Sequence, residues 1–123
     1  MFVARVAGNI ATPEIVASLE FGVAVLGVRL ILVLGHAGCG AVKAAIERKI
    51  APGQIGSLYP YIQPAVDQAG PNLSATTKAN AKIQAESVRN AVAEIVKENM
   101  PKVIPAYYDL ATGAVTLLER QSG

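Results

Sequence analysis

Apolar residues along this chain fall into two kinds of run: short contiguous stretches, and longer ones in which they recur every three or four positions. "FVARV" (2–6) has the pattern of a short strand, closed by Ala7-Gly8-Asn9. Thr12-Pro13-Glu14 has the form of a helix start, with a capping hydroxyl, a proline at the first helical position and a carboxylate at the positive end of the dipole. That helix is expected to reach about Leu26 and stop at Gly27. "RLILVLG" (29–35) is nearly continuous in apolar residues, as in a strand with helices on both faces of its sheet.

A second helix is expected to begin near Cys39 and run to Lys49, ended by the loop "APGQIG". Residues 57–69 read as partly helical, bent by Pro60 and Pro64. After the loop "GPNLS" (70–74), with Ser74 as a candidate cap, the longest helical pattern runs from Ala75 to Glu98. Ile83, Val88, Val92, Ile95 and Val96 form its apolar stripe, and Pro101 stops it. "KVIPAYYDL" (102–110) and "AVTLLE" (114–119) read as a strand and its antiparallel partner, with Asp109 capping the turn between them. The order strand, helix, strand, three helices, two strands predicts an α/β fold: a mostly parallel sheet flanked by helices, with an antiparallel C-terminal edge hairpin.

Composition narrows the function classes. The 123 residues fit a single domain spanning 1–123. Hydrophobic residues make up 52% and charged ones 16%, an apolar excess that predicts coverage by another chain, a homo-oligomer. A net charge of +2 with scattered Lys and Arg argues against nucleic acid. The run from Ile15 to Gly35 is interrupted by Glu20, Arg29 and three glycines, which argues against a membrane span. One cysteine excludes an intrachain disulfide and fits a cytoplasmic location; no signal peptide is evident at the N-terminus.

The candidate chemistry lies in "LILVLGHAGCGAVKAAI" (30–46), where His36 and Cys39 occupy a strand-to-helix turn. In open α/β sheets function concentrates at such carboxyl ends. Thiolate and neutral imidazole are good zinc ligands, and H-x-x-C spacing lets both turn toward one ion. The same spacing is also compatible with a turn holding a small buried thiol and a capping imidazole. A Cys-His nucleophile pair is a third option, disfavoured because such pairs ordinarily meet from separate elements. A zinc site needs further ligands, and Glu14, Glu20, Asp67 and Asp109 are the carboxylates on hand, none at a spacing that points to His36.

Beyond these residues, the sequence resembles the β-class carbonic anhydrases along essentially its whole length. The likeness is carried by "VARVAGN" (3–9), "SLEFGVAVLGVRLILVLGHAGCGAV" (18–42), "ANAKIQAESVRNAVAEIV" and "AYYDLATGAVTLL". It implies reversible hydration of carbon dioxide to bicarbonate at a zinc ion, in a dimer or larger assembly. His36 and Cys39 match two of the family's three protein ligands to zinc. Gly40 matches the glycine after the cysteine, and Phe21 falls where members carry a pocket aromatic. The family's remaining ligand belongs to a Cys-x-Asp-x-Arg segment on a strand in the middle of the sheet, between those matching 2–6 and 29–35. No residue here matches that segment. The resemblance thus implies little or no hydration by this chain alone, and a gap beside 29–35 filled by 2–6, a neighbouring chain or a separate polypeptide. It leaves two other readings: a catalytically silent homologue serving as an oligomeric scaffold or small-anion binder, and an enzyme resembling carbon disulfide hydrolases.

Overall fold

A computed structural model describes residues 1–119, so positions 120–123 of the expected domain lie outside the described residues. Helix α1 spans Pro13–Ala24, and Thr12 Oγ1 accepts a long 3.5 Å bond from the Ile15 amide at its start. Strand β1 (Leu30–His36) follows, then α2 (Gly40–Glu47), α3 (Tyr59–Ala69) and α4 (Leu73–Ile95). Strands β2 (Lys102–Tyr108) and β3 (Val115–Leu117) close the chain. The sheet order is β1-β2-β3, with β1 and β2 parallel in register from Leu30↔Lys102 to His36↔Tyr108, and β3 antiparallel to β2. This is the expected α/β layout with its antiparallel edge.

The largest departure concerns residues 2–6, which form no strand. Val6 is extended, at φ −152° and ψ 151°, yet no ladder joins this segment to β1. Pairing is a tertiary property: an extended stretch becomes a strand only where a neighbour lies within about 4.8 Å, and here a cleft intervenes. Smaller corrections follow local chemistry. Asn72, not Ser74, caps α4, its Oδ1 accepting from the Ala75 amide at 2.8 Å. Pro60 takes an N-terminal position of α3, and Pro64 lies within a helix that continues through it. Asp109 does cap the closing turn, accepting from the Ala111 amide at 2.9 Å.

Two apolar clusters hold the elements together. Val23 of α1, Ile31 and Val33 of β1, Ala85, Val88 and Val92 of α4 and Val103 of β2 form one. Ile10, Cys39, Val42, Ala45 and Ile62 form the other, beneath α2 and α3. The expected covering of both strand faces holds on one side only: Leu30 and Leu32, opposite to Ile31 and Val33, are 56% and 44% exposed. The face of α4 also differs from the expected aliphatic stripe. Ile95 is exposed, while Thr76, Thr77, Asn80 and Gln84 are buried. Gln84 accepts from the Ala11 amide (2.8 Å) and donates to Tyr61 O and Asn80 Oδ1 (both 3.0 Å), and Asn80 donates to Gly8 O at 2.9 Å. These bonds fasten the turn after residue 6 to α4.

Candidate metal centre

Strand β1 delivers His36 at its carboxyl end, and Cys39 stands at the N-cap of α2 three residues on. The turn between them is tight because Gly38 adopts φ +69°, a left-handed conformation that costs glycine little. Gly35, just before the histidine, lets β1 approach α4: a Cβ there would stand 3.0 Å from Thr77 Cγ2. Backbone packing thus places the strand end that carries the imidazole.

His36 Nδ1 lies 2.9 Å from the Ala37 carbonyl oxygen. A carbonyl only accepts, so this contact places a proton on Nδ1, and in the neutral ring the lone pair then sits on Nε2. That is the form of a histidine ready to ligate a metal, with its ring oriented by a backbone oxygen. The Cys39 thiol is 5% exposed, makes no capping bond and is the free cysteine of the chain. The alternative of a small buried thiol with a capping imidazole thus holds for the burial of Cys39, while His36 meets the Ala37 carbonyl and not an amide of α2.

Both residues line one cleft of about 1190 Å³. Its walls are residues 1–6 and the turn through Ile10 on one side, β1 on the other, with Thr77, Asn80, Ala81, Gln84 and Val88 of α4 behind. Arg5 contributes a cationic group, and among the described residues no Asp or Glu lies in the wall. Thr77 Oγ1 is buried without a hydrogen-bond partner among the described residues.

A complete ligand set is not assembled from the described residues, which hold no group of three His, Cys, Asp or Glu able to grip an ion. Asp67 instead accepts from Gln63 at 2.8 Å, and Asp109 serves its turn. Gly40 is exposed at the start of α2, with open space where a Cβ would be. Phe21 is 52% exposed on α1 and lies outside the wall of the cleft, because Gly22 and Val23 take the inward side of the helix. The sequence reading missed Asn9, whose Nδ2 donates to Leu34 O at 3.0 Å, and the polar residues of α4. The i, i+4 spacing of Asn80 and Gln84, in phase with Val88, is the signal that marks them as inward-facing.

A sequence profile of the family described as carbonic anhydrase matches residues 1–115. The chain belongs to the β-carbonic anhydrase family. A carbonic anhydrase of Mycolicibacterium smegmatis is 30% identical over 131 aligned positions, covering 95% of this chain and 62% of that protein. Carbonic anhydrase 2 of Mycobacterium tuberculosis is 52% identical over 46 residues, 37% of this chain and 22% of its own length. Among solved structures, a tetrameric β-carbonic anhydrase of Sordaria macrospora superposes with a TM-score of 0.84 at 20% identity, covering 99% of this chain and 70% of that one. The Coccomyxa β-carbonic anhydrase, solved with acetazolamide, gives 0.77 at 25% identity over 97% and 61%. This β-carbonic anhydrase chain thus spans about 62% of the length of the Mycolicibacterium protein. No helix among its described residues is long and apolar enough to cross a membrane.

Proposed function

We propose that this chain supplies the His-Cys portion of a zinc centre for the reversible hydration of carbon dioxide to bicarbonate. The observation that carries the reading is the β1–α2 turn, which sets His36, its Nδ1 turned to the Ala37 carbonyl, and the buried Cys39 on the wall of one cleft. Catalytic zinc ordinarily takes three protein ligands and keeps one position for water. The donors here fit zinc as part of a set and not as a whole one, so no catalytic step is assigned to this chain alone. When bound, zinc makes hydroxide available near neutrality by acidifying a water.

The chain's own residues prepare the ground. The Ala37 carbonyl orients the His36 ring, the cluster of Ile10, Val42, Ala45 and Ile62 keeps the thiol from bulk water, and the apolar cleft suits an uncharged gas. Phe21 and Gly40 border the substrate in this proposal once a second copy of the chain is present. Exposed Phe21, Val25, Leu26, Leu30 and Leu32 support such a homo-oligomer of two or more chains. The single cysteine supports a cytoplasmic setting.

Zinc per chain after dialysis, measured by mass spectrometry, together with a stopped-flow hydration assay, tests the proposal. Expected are less than one zinc per chain, loss of that zinc in His36→Ala and in Cys39→Ser, and hydration no faster than background. One tightly held zinc with rapid turnover overturns the incomplete site. Zinc uptake indifferent to both substitutions overturns the ligand assignment.

A further inference from the structure

His36 stands at the end of a strand that is gripped from two sides. Lys102 donates its amide to Arg29 O and Ala37 donates to Tyr108 O, so the odd-numbered residues of β1 turn their backbone groups to β2. Alternation in a parallel ladder turns those of Leu34 the opposite way, and there Asn9 Nδ2 donates to Leu34 O at 3.0 Å. The histidine thus lies between a carbonyl held on one side of the strand, two residues before it, and an amide held on the other, one residue after it. A strand end bonded along one edge only opens more easily than one held on both. The bond from Asn9 opposes that opening where the imidazole is presented.

This position calls for asparagine in particular. Asn9 adopts φ +49°, in the left-handed region. Of Gly, Asp and Asn, the residues that best tolerate it, glycine has no side chain and an ionised aspartate only accepts, whereas asparagine brings an N–H to the Leu34 carbonyl. The donor is also aimed from behind. The Asn9 amide donates to Val6 O at 2.9 Å, Asn80 Nδ2 holds Gly8 O at 2.9 Å, and Gln84 Nε2 fixes the Asn80 side chain by donating to its Oδ1 at 3.0 Å. Asn80 and Gln84 are buried, so bulk water does not compete for these bonds.

We propose that Asn9 is a positioning residue for the metal centre: its side-chain amide, aimed by α4 through Asn80, fixes the end of β1 so that the His36 ring meets the Ala37 carbonyl and is presented with Cys39 as a preset pair. The inference rests on the reading of His36 and Cys39 as ligands, and one of its two readouts needs no metal, so the failure of either is distinguishable.

The full 123-residue chain is compared with Asn9→Asp, Asn9→Gly and Val92→Ala. Asn9→Asp keeps size and backbone tolerance and loses the donor. Val92→Ala cuts a fully buried side chain at the other end of α4 from Asn80 and serves as the control for lowered stability. Cobalt(II) alone is titrated in, its thiolate charge-transfer absorption reporting Cys39. Both Asn9 variants are expected to bind it about 10- to 100-fold more weakly, while Val92→Ala matches the parent despite a lower urea midpoint. The second readout is the ring tautomer in the metal-free chain, followed by nitrogen NMR of labelled histidine at a pH that keeps the ring neutral; the chain has one histidine, so the signals belong to His36. Parent and Val92→Ala should hold the Nδ1-protonated form, and in the Asn9 variants its ratio to the Nε2-protonated form should fall about threefold or more. An unchanged tautomer in Asn9→Asp overturns the proposal, and so does an equal change in Val92→Ala. Cobalt affinity that survives Asn9→Asp but not His36→Ala overturns it as well. Cobalt binding indifferent to His36→Ala and Cys39→Ser overturns the ligand reading instead, and the tautomer then decides alone whether Asn9 places the ring.

Discussion

Gly35→Ala tests how the histidine is placed. The added methyl carbon would stand 3.0 Å from Thr77 Cγ2, 3.4 Å from Thr77 O and 3.6 Å from the Ala81 methyl. Carbon atoms rest at about 3.5–4.0 Å, so the Thr77 methyl must give way by about half an ångström or more. Retreat of α4 as a body is resisted by the bonds of Asn80 and Gln84 to Gly8, Ala11 and Tyr61. Overpacking of this kind costs about 1–3 kcal/mol. Loss of glycine freedom in the unfolded chain returns about 0.4–1 kcal/mol, leaving a net destabilisation of about 1.3 kcal/mol at mid-range. Urea unfolding followed by circular dichroism should show a lower midpoint with unchanged slope. Thr77→Ser removes the offending methyl and keeps the hydroxyl, so in the double variant it should recover most of the loss, a coupling of about 1 kcal/mol. A Gly35→Ala variant as stable as the parent, or strictly additive effects in the cycle, would refute the close-approach argument.

Other expectations follow from the same packing. Gln84→Leu strands the Ala11 amide, the Tyr61 carbonyl and Asn80 Oδ1 together; a loss of about 2–4 kcal/mol in urea unfolding is expected, and less than about 1 kcal/mol would deny the network its role. Ile62→Ala empties a fully buried position beside Cys39. It should cost about 2–5 kcal/mol and speed thiol labelling of Cys39 under native conditions, and an unchanged labelling rate would show that the cluster does not guard the sulfur.

Much of this could be read from one dimension because several signals are local. The run 29–35 is strand whatever surrounds it, and the glycines after it mark the turn that carries His36 and Cys39. The Thr12-Pro13 start is equally self-contained. Less legible were features decided at a distance. Whether residues 2–6 become a strand depends on what lies beside them, which their own pattern does not contain. Asn80 and Gln84 carry polar side chains that ordinarily mark a solvated face. They are buried because carbonyls and amides 23 to 73 residues away in sequence receive them. Asn72 and Ser74 are both competent caps two residues apart, and sequence preference does not separate them. The ligand shortfall was countable in advance, since one histidine and one cysteine remain one of each in any fold.

The parallel register between β1 and β2 also governs how the chain comes off the ribosome. Leu30 meets Lys102, 72 positions later in the chain. At about 5–20 residues per second of synthesis, the apolar β1 waits about 4 to 14 s before the segment that covers its inner edge has been made. Over that interval the inner edge of β1 has no pairing partner, whereas α4, β2 and β3, contiguous from residue 73 to 117, can assemble as soon as they emerge.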